Sequence, residues 1–437
     1  MREKCPVTTI SRHHSFLWVV VLAASAVALI PFLLVHTGRV FPSTELGEVS
    51  RETTRGKPLA GKKLAESLQS SRNHFTSTIS HSALKYGRVT ASHEDIVGDS
   101  TLSGTEKCAI CFFGLPRSFK LLVLPSIVKN VLIPNVGNNC DIFMHYYHVE
   151  QETGGRSGHG GTLNPNDVYL LPQELRRVST QYSNFTKQFQ PHISIINDTE
   201  QDFWKKRGEQ LTKYRQTKGP DGKYLYFPWM AKSFTYPTSI DNIVKQWHSI
   251  DSVFHTMVRT GQTLNRNYTR VAMLRNDVVY VTPFDIYKTD CSSSYDRENR
   301  YAVVPNWARF PINDRMIYGP FAAVQVWATE RFSRLEDHVL TYEPGYGMHS
   351  ERFLNHSIFP AIRNLGIPVI ANPDICFFRA RADGSMWSND CATRDGAARG
   401  FRNKKDTKQL VEAIVGRSCQ ESKLSPRVTQ LQCNDGA

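Results

Sequence analysis

Residues Phe16 to Val35 read FLWVVVLAASAVALIPFLLV, about twenty positions without one charge. At about 1.5 Å of rise per residue, a helix of that length is about 30 Å long, the thickness of a bilayer's hydrocarbon core. Nothing else in the chain constrains its topology so strongly. The run predicts one membrane span, with residues 1–15 on one side and everything after His36 on the other. Pro31 lies near its end, where a helix in lipid absorbs it. Arg2, Lys4 and Arg12 precede the span, whereas Arg39 is the only basic residue soon after it. That asymmetry predicts a cytosolic tail and a lumenal or extracellular remainder, a single-pass type II arrangement of the Golgi or ER kind. A cleaved signal peptide is the rival, because Ala24-Ser25-Ala26 resembles a cleavage site. The site falls mid-run, however, and the run exceeds the roughly 7–15 apolar residues of a signal peptide, which favours the uncleaved anchor.

Two features agree with that compartment. Asn184, Asn197, Asn267 and Asn355 each begin a glycosylation sequon, and all follow the span. Cys5 lies in the tail, leaving Cys108, Cys111, Cys140, Cys291, Cys376, Cys391, Cys419 and Cys433 beyond it. An even set in an oxidising lumen suits disulfides, whose pairing is not legible in sequence. Cys108 and Cys111 have CxxC spacing, but they lie in an apolar strand-like run and no second CxxC or CxxH follows. A structural role is the preferred reading over zinc or redox chemistry.

Residues 36–104 are rich in Ser, Thr, Lys, Arg and Glu and poor in aromatics, which predicts a flexible stem with at most a short helix at Leu59 to Leu68. Residues 105–400 are enough for one substantial domain, and a basic polar tail, 401–437, follows, with Cys419 and Cys433 tying it back. Within the domain, Cys108 to Phe113, Asp141 to Tyr147, His192 to Ile196, Val271 to Leu274, Val278 to Val281, Pro368 to Ile370 and Cys376 to Phe378 read as strands. Ser118 to Leu132, Ile240 to Val258, Phe321 to His338 and Ser350 to Leu365 read as helices. Strands alternating with helices predict an α/β fold, a mostly parallel Rossmann-like sheet with helices on both faces.

Ligands of such sheets collect at the carboxyl ends of the strands, so residues just after each strand come first. Gly114-Leu-Pro-Arg117-Ser118 is a tight turn into a helix, with an arginine suited to a phosphate or, equally, to the surface. Gly154 to Gly161 matches neither the Walker pattern nor GxGxxG and reads as a mobile loop. Arg275-Asn276-Asp277 interrupts two apolar runs; Asp277 there is either paired with Arg275 or another arginine, or bound to Mg²⁺ or Mn²⁺. Asn313-Asp314-Arg315 and the stretch Glu343 to Glu351, which includes His349, are further polar clusters. Asp314 or Glu351 is the candidate base for a hydroxyl, and His349 a candidate metal ligand, against helix capping or ion pairing. The aromatic run Tyr224 to Tyr236 suits either sugar stacking or core packing.

Tail, anchor, stem and an α/β domain with a strand ending in Arg275-Asn276-Asp277 together resemble the GT-A class of nucleotide-sugar glycosyltransferases of the secretory pathway. Cys111 to Ser118, Asp141 to His145, Leu274 to Asp277 and Asn313 to Gly319 are also similar to glycosyltransferase-like proteins of algae and microbes. The resemblance implies a nucleotide-sugar donor, a glycan or glycoprotein acceptor, and Mn²⁺ or Mg²⁺ held by a DxD motif against the donor diphosphate. Here only the last acid of that motif, Asp277, is kept. In this reading Gly114, Arg117, Arg275 and Asp277 hold the donor, Asp277 and His349 the metal, and Asp314 or Glu351 assists the acceptor. The net charge of +13 suits an anionic partner, while the absence of a recognisable nucleic-acid module and the compartment argue against nucleic acid. A lumenal sulfotransferase and a non-catalytic glycan-binding domain are the alternatives.

Overall fold

A computed structural model describes residues 105–433 except 156–157, 183–189, 290–294, 343, 389–390, 394–395, 398–406 and 426–427. The anchor, the stem, Asn184, Cys291 and Glu343 lie outside the described residues.

Seven strands form the central sheet: β1 (Thr105–Gly114), β2 (Asp141–Tyr147), β3 (Ile193–Asp198), β4 (Arg266–Arg275), β5 (Ala302–Pro305), β6 (Ile317–Pro320) and β7 (Val369–Asn372). Their order is β3-β2-β1-β4-β6-β5-β7. All neighbours pair in parallel except β6, which runs antiparallel to both β4 and β5. The fold is therefore α/β with a mostly parallel sheet. The expected strand at Val278 leaves that sheet and pairs antiparallel with Phe377–Arg379.

Period-two geometry divides β1 between two cores. Cys108, Ile110 and Phe112 enter one core, and Ala109, Cys111 and Phe113 the other. Against the first face pack α1 (Phe119–Asn138) and α2 (Leu170–Tyr182). Against the second pack α3 (Glu200–Gln216), α4 (Thr238–Leu264), α5 (Phe321–Thr329), α6 (Arg331–Thr341) and α7 (350–364). Among the described residues α1 is the helix long and apolar enough to cross a membrane, but it is a core helix covering the sheet.

Local sequence sets these boundaries. Thr199 and Asp202 form a reciprocal capping box at the start of α3. Ile243, Val244, Trp247, Ile250, Val253, Phe254 and Met257 line the buried side of α4, and Asn265 ends it in a left-handed conformation. The single helix expected over Phe321 to His338 is two helices, because the backbone leaves helical geometry at Glu330.

Other expectations are corrected. The glycine-rich stretch is a hairpin, Gln151–Gly155 against Gly158–Thr162, and not a loop. A Cβ on Gly160, at φ +84°, would lie 2.4 Å from the Glu152 carbonyl, so the close strand pairing demands glycine there. Cys108 pairs with Cys140, Cys376 with Cys391, and Cys419 with Cys433. Cys111 is a buried thiol, and burial pushes its pKa up. Three residues apart on a strand, Cys108 and Cys111 point to opposite faces, so this CxxC cannot chelate or cycle. Cys419–Cys433 closes its own hairpin; what joins that hairpin to the domain is the pairing of Val428–Cys433 with Ser385–Trp387.

Candidate functional site

The sheet order reverses at β1: the chain proceeds outward through β2 and β3, then returns to place β4 on β1's other side. Crevices at the carboxyl ends of strands form at such reversals. Gly114 ends β1 there at φ +120°, and a Cβ would stand 3.0 Å from Asn276 Oδ1. Asn276, fully buried, donates its backbone N–H to Phe113 (3.1 Å) and its side chain to Gly114 O (3.3 Å), locking the end of β4 to that of β1.

This lock delivers Asp277 to two arginines. Arg275 donates Nε to Oδ1 (2.7 Å) and Nη2 to Oδ2 (2.7 Å), while Arg117 Nη1 donates to Oδ2 (2.6 Å). The hairpin supplies a second carboxylate, Glu152, which takes Arg117 Nε at 2.6 Å and Nη2 on its other oxygen. Asp277 is 2% exposed. Burial pushes its pKa up, but Arg275, Arg117 and Arg381 outweigh burial and hold it well below the usual carboxylate range. Burial opposes the charge on Arg275 and Arg117 as well, and the carboxylates they face raise both pKa values regardless. Asp314 stands close enough to add to the field on Arg275 and on the buried Arg331. Its turn is anchored by Asn313, whose side chain donates to Trp307 O (2.8 Å) and accepts from Arg315 N (2.9 Å).

Gly114, Arg117, Arg275 and Asp277 thus come together, with Asp314 in their field. Glu351 and His349 stand beside each other (3.2 Å), and His349 packs against Phe234 and Tyr346. Met348 N bonds Tyr226 O (2.8 Å), which ties this segment to the aromatic run. Within that run Tyr226 is core, Tyr224 and Tyr236 stack at 4.2 Å, and Met230 is half exposed.

A divalent cation does not fit Asp277. Three guanidinium N–H groups already occupy its two oxygens, and a cation would have to displace two fixed positive charges. Among the described residues, a group of three ligand side chains within 4.8 Å of one another lies one strand away: His145, Asp198 and His248.

That cluster was missed by sequence reasoning. His145 lies near the end of β2, Asp198 ends β3, and His248 is on the inward side of α4. His145 sits in an apolar strand, Asp198 in the polar run that closes one and His248 within an amphipathic helix, and the one available signal was a polar residue at a strand's carboxyl end. His248 Nε2 lies 2.6 Å from Asp198 Oδ2, and Arg207 Nε donates to His248 Nδ1 (3.2 Å). Burial raises Asp198, but the His145, His248 and Lys206 side chains around it more than reverse that and hold its pKa far below the usual range. Burial lowers His145, and the nearby Asp198 charge does not compensate.

No family model matches the chain, and no curated protein matches its sequence.

Proposed function

We propose that this chain is a glycosyltransferase of GT-A-like architecture that moves a sugar from a nucleotide-sugar donor to a glycan or glycoprotein hydroxyl. The observation that carries the reading is the pair Arg117 and Arg275, fixed by Asp277 at the switch point of a mostly parallel sheet. A departing diphosphate accumulates negative charge, and preorganised guanidinium groups stabilise it without reorganising. A guanidinium has five N–H groups, so each arginine retains donors beyond those on Asp277 and Glu152. Asp277 acts here as a positioning residue and not as a metal ligand. The acceptor oxygen attacks the anomeric carbon, the bond to the diphosphate breaks, and Asp314 takes the hydroxyl proton. Glu351 and His349, seated beside the aromatic run, belong to the acceptor side in this reading.

The test is thermal unfolding of the full chain with a panel of nucleotide sugars. At a hundredfold excess over its dissociation constant, a ligand of the folded state adds about 2.7 kcal/mol of stability. One nucleotide sugar is expected to raise the melting temperature, with the shift lost in Arg117→Gln. No shift with any of them, or an equal shift in Arg117→Gln, overturns the reading. A response to phosphoadenosine compounds alone would instead select a sulfotransferase.

A further inference from the structure

We propose that His145, Asp198 and His248 form a binding site for a zinc-type divalent ion, separate from the switch-point crevice and independent of the transferase reading. Their ligand atoms lie within 4.8 Å of one another, and all three side chains are buried. His145 Nε2 is enclosed and has no hydrogen-bond partner. It lies 3.4 Å from Asp198 Oδ2. Two ligands about 2.0–2.1 Å from a tetrahedral ion stand about 3.3–3.4 Å apart, so this pair is already at coordination spacing.

The surrounding bonds point the ring the right way. His145 Nδ1 lies 2.8 Å from Ser249 Oγ, which also accepts the Gly114 N–H (3.0 Å). Ser249's own proton has an acceptor in the His145 carbonyl (3.4 Å). In the tautomer whose Nδ1–H donates to the serine, Nε2 carries a bare lone pair on the side of Asp198, 3.4 Å away. Metal-bound histidines are oriented by an outer partner of this kind. Lys206 engages Asp198 through Oδ1, so Oδ2, which now faces only the two imidazoles, is the oxygen for the ion.

His248 supplies the opposing term. Its Nε2 proton now bridges to Asp198 Oδ2 at 2.6 Å, because Arg207 occupies Nδ1. On binding, the ring keeps its one proton, which moves from Nε2 to Nδ1. Arg207 gives up that contact and retains Asp251 (2.9 Å). Two imidazoles and one carboxylate form a donor set for zinc and its neighbours, whereas magnesium and calcium require oxygen throughout.

The full chain is dialysed against Zn²⁺ or Mg²⁺, and retained metal is measured by mass spectrometry alongside the melting temperature. About one zinc per chain and a raised melting temperature are expected, with no magnesium retained. Asp198→Asn and His145→Gln should lose the zinc, and Ser249→Ala should weaken it about tenfold. Arg207→Gln, which removes the competing donor and offers an acceptor to Nδ1, should tighten it. No retained zinc, or equal retention by His145→Gln, overturns the site. Should the ligand variants fail to fold, the visible spectrum of the Co²⁺-loaded wild-type chain decides. Bands of nitrogen and oxygen coordination support the site, and their absence, or thiolate charge transfer from Cys111, refutes it.

Discussion

Asp277 and Asp198 are both buried carboxylates at the same edge of one sheet, and both are held below their ordinary pKa. They differ in what surrounds them. Asp277 faces two guanidinium groups, whose charge is permanent and whose geometry fills both carboxylate oxygens. Asp198 faces two imidazoles and a half-exposed lysine, and one imidazole nitrogen is left unpartnered. A saturated carboxylate among fixed cations leaves the spare arginine N–H groups as the available donors, which suits an anion. A carboxylate among imidazoles gathers oxygen and nitrogen donors in one place, which suits a cation. Gly114 connects the two, since its N–H goes to Ser249 beside His145 and its carbonyl accepts from Asn276 beside Asp277.

The largest expected effect is at the arginine cluster. Asp277→Ala leaves Arg117 and Arg275 without their shared counter-charge and should cost about 3 kcal/mol by urea unfolding. Those arginines keep slight solvent contact, 12% and 21%, so the low end of the range for a broken buried pair applies. A loss under about 1 kcal/mol would mean that the clamp is solvated and that the contrast with Asp198 fails. The pH dependence has a definite sign. The folded-state pKa of Asp277 is depressed, so its contribution is present above the usual carboxylate value of about 4 and is lost as pH falls below it. Melting temperature against pH should therefore drop on acidification in the wild type, and less steeply in Asp277→Asn.

Gly114→Ala should cost about 1–2 kcal/mol, since alanine at φ +120° is strained and its Cβ presses on Asn276. Because Gly114 touches both clusters, the same variant should weaken nucleotide-sugar and zinc binding together; loss of only one would show that the clusters are uncoupled. The smallest effect belongs to Lys206→Met. Its ammonium is half exposed, so unfolding measurements should register less than about 1 kcal/mol. A larger loss would mean that Asp198 depends on fixed charge as Asp277 does.

Much of this frame is legible in the chain. The apolar runs of β1, β2 and β4 and the buried stripe of α4 follow from residue periodicity alone, and so does the α/β class. Gly114, Arg117, Arg275 and Asp277 were legible for one reason: each ends an apolar strand or lies within three residues of its end, where a parallel sheet places its ligands. Pairing of Asp277 with its near neighbour Arg275 was open to the same reading, but the distant partners were not legible. Glu152 comes from a hairpin whose glycines look like a loop until strand pairing explains them, and nothing near Asp277 in sequence indicates that Arg117 reaches it across 160 positions.

Local periodicity and the cost of burying charge were enough to read β1 to β4, β7, the helices α1, α4 and α7 and the polar residues at strand ends, but not β5, β6, α2 or α3. Contacts between distant segments make β6 antiparallel, join Cys108 to Cys140, away from Cys111, and seat Glu351 and His349 with the aromatic run. They also bring Arg117 onto the Arg275–Asp277 pair and make His145, Asp198 and His248 converge from three separate segments. Strand order is set by packing between distant segments, and which charges become neighbours follows from that order.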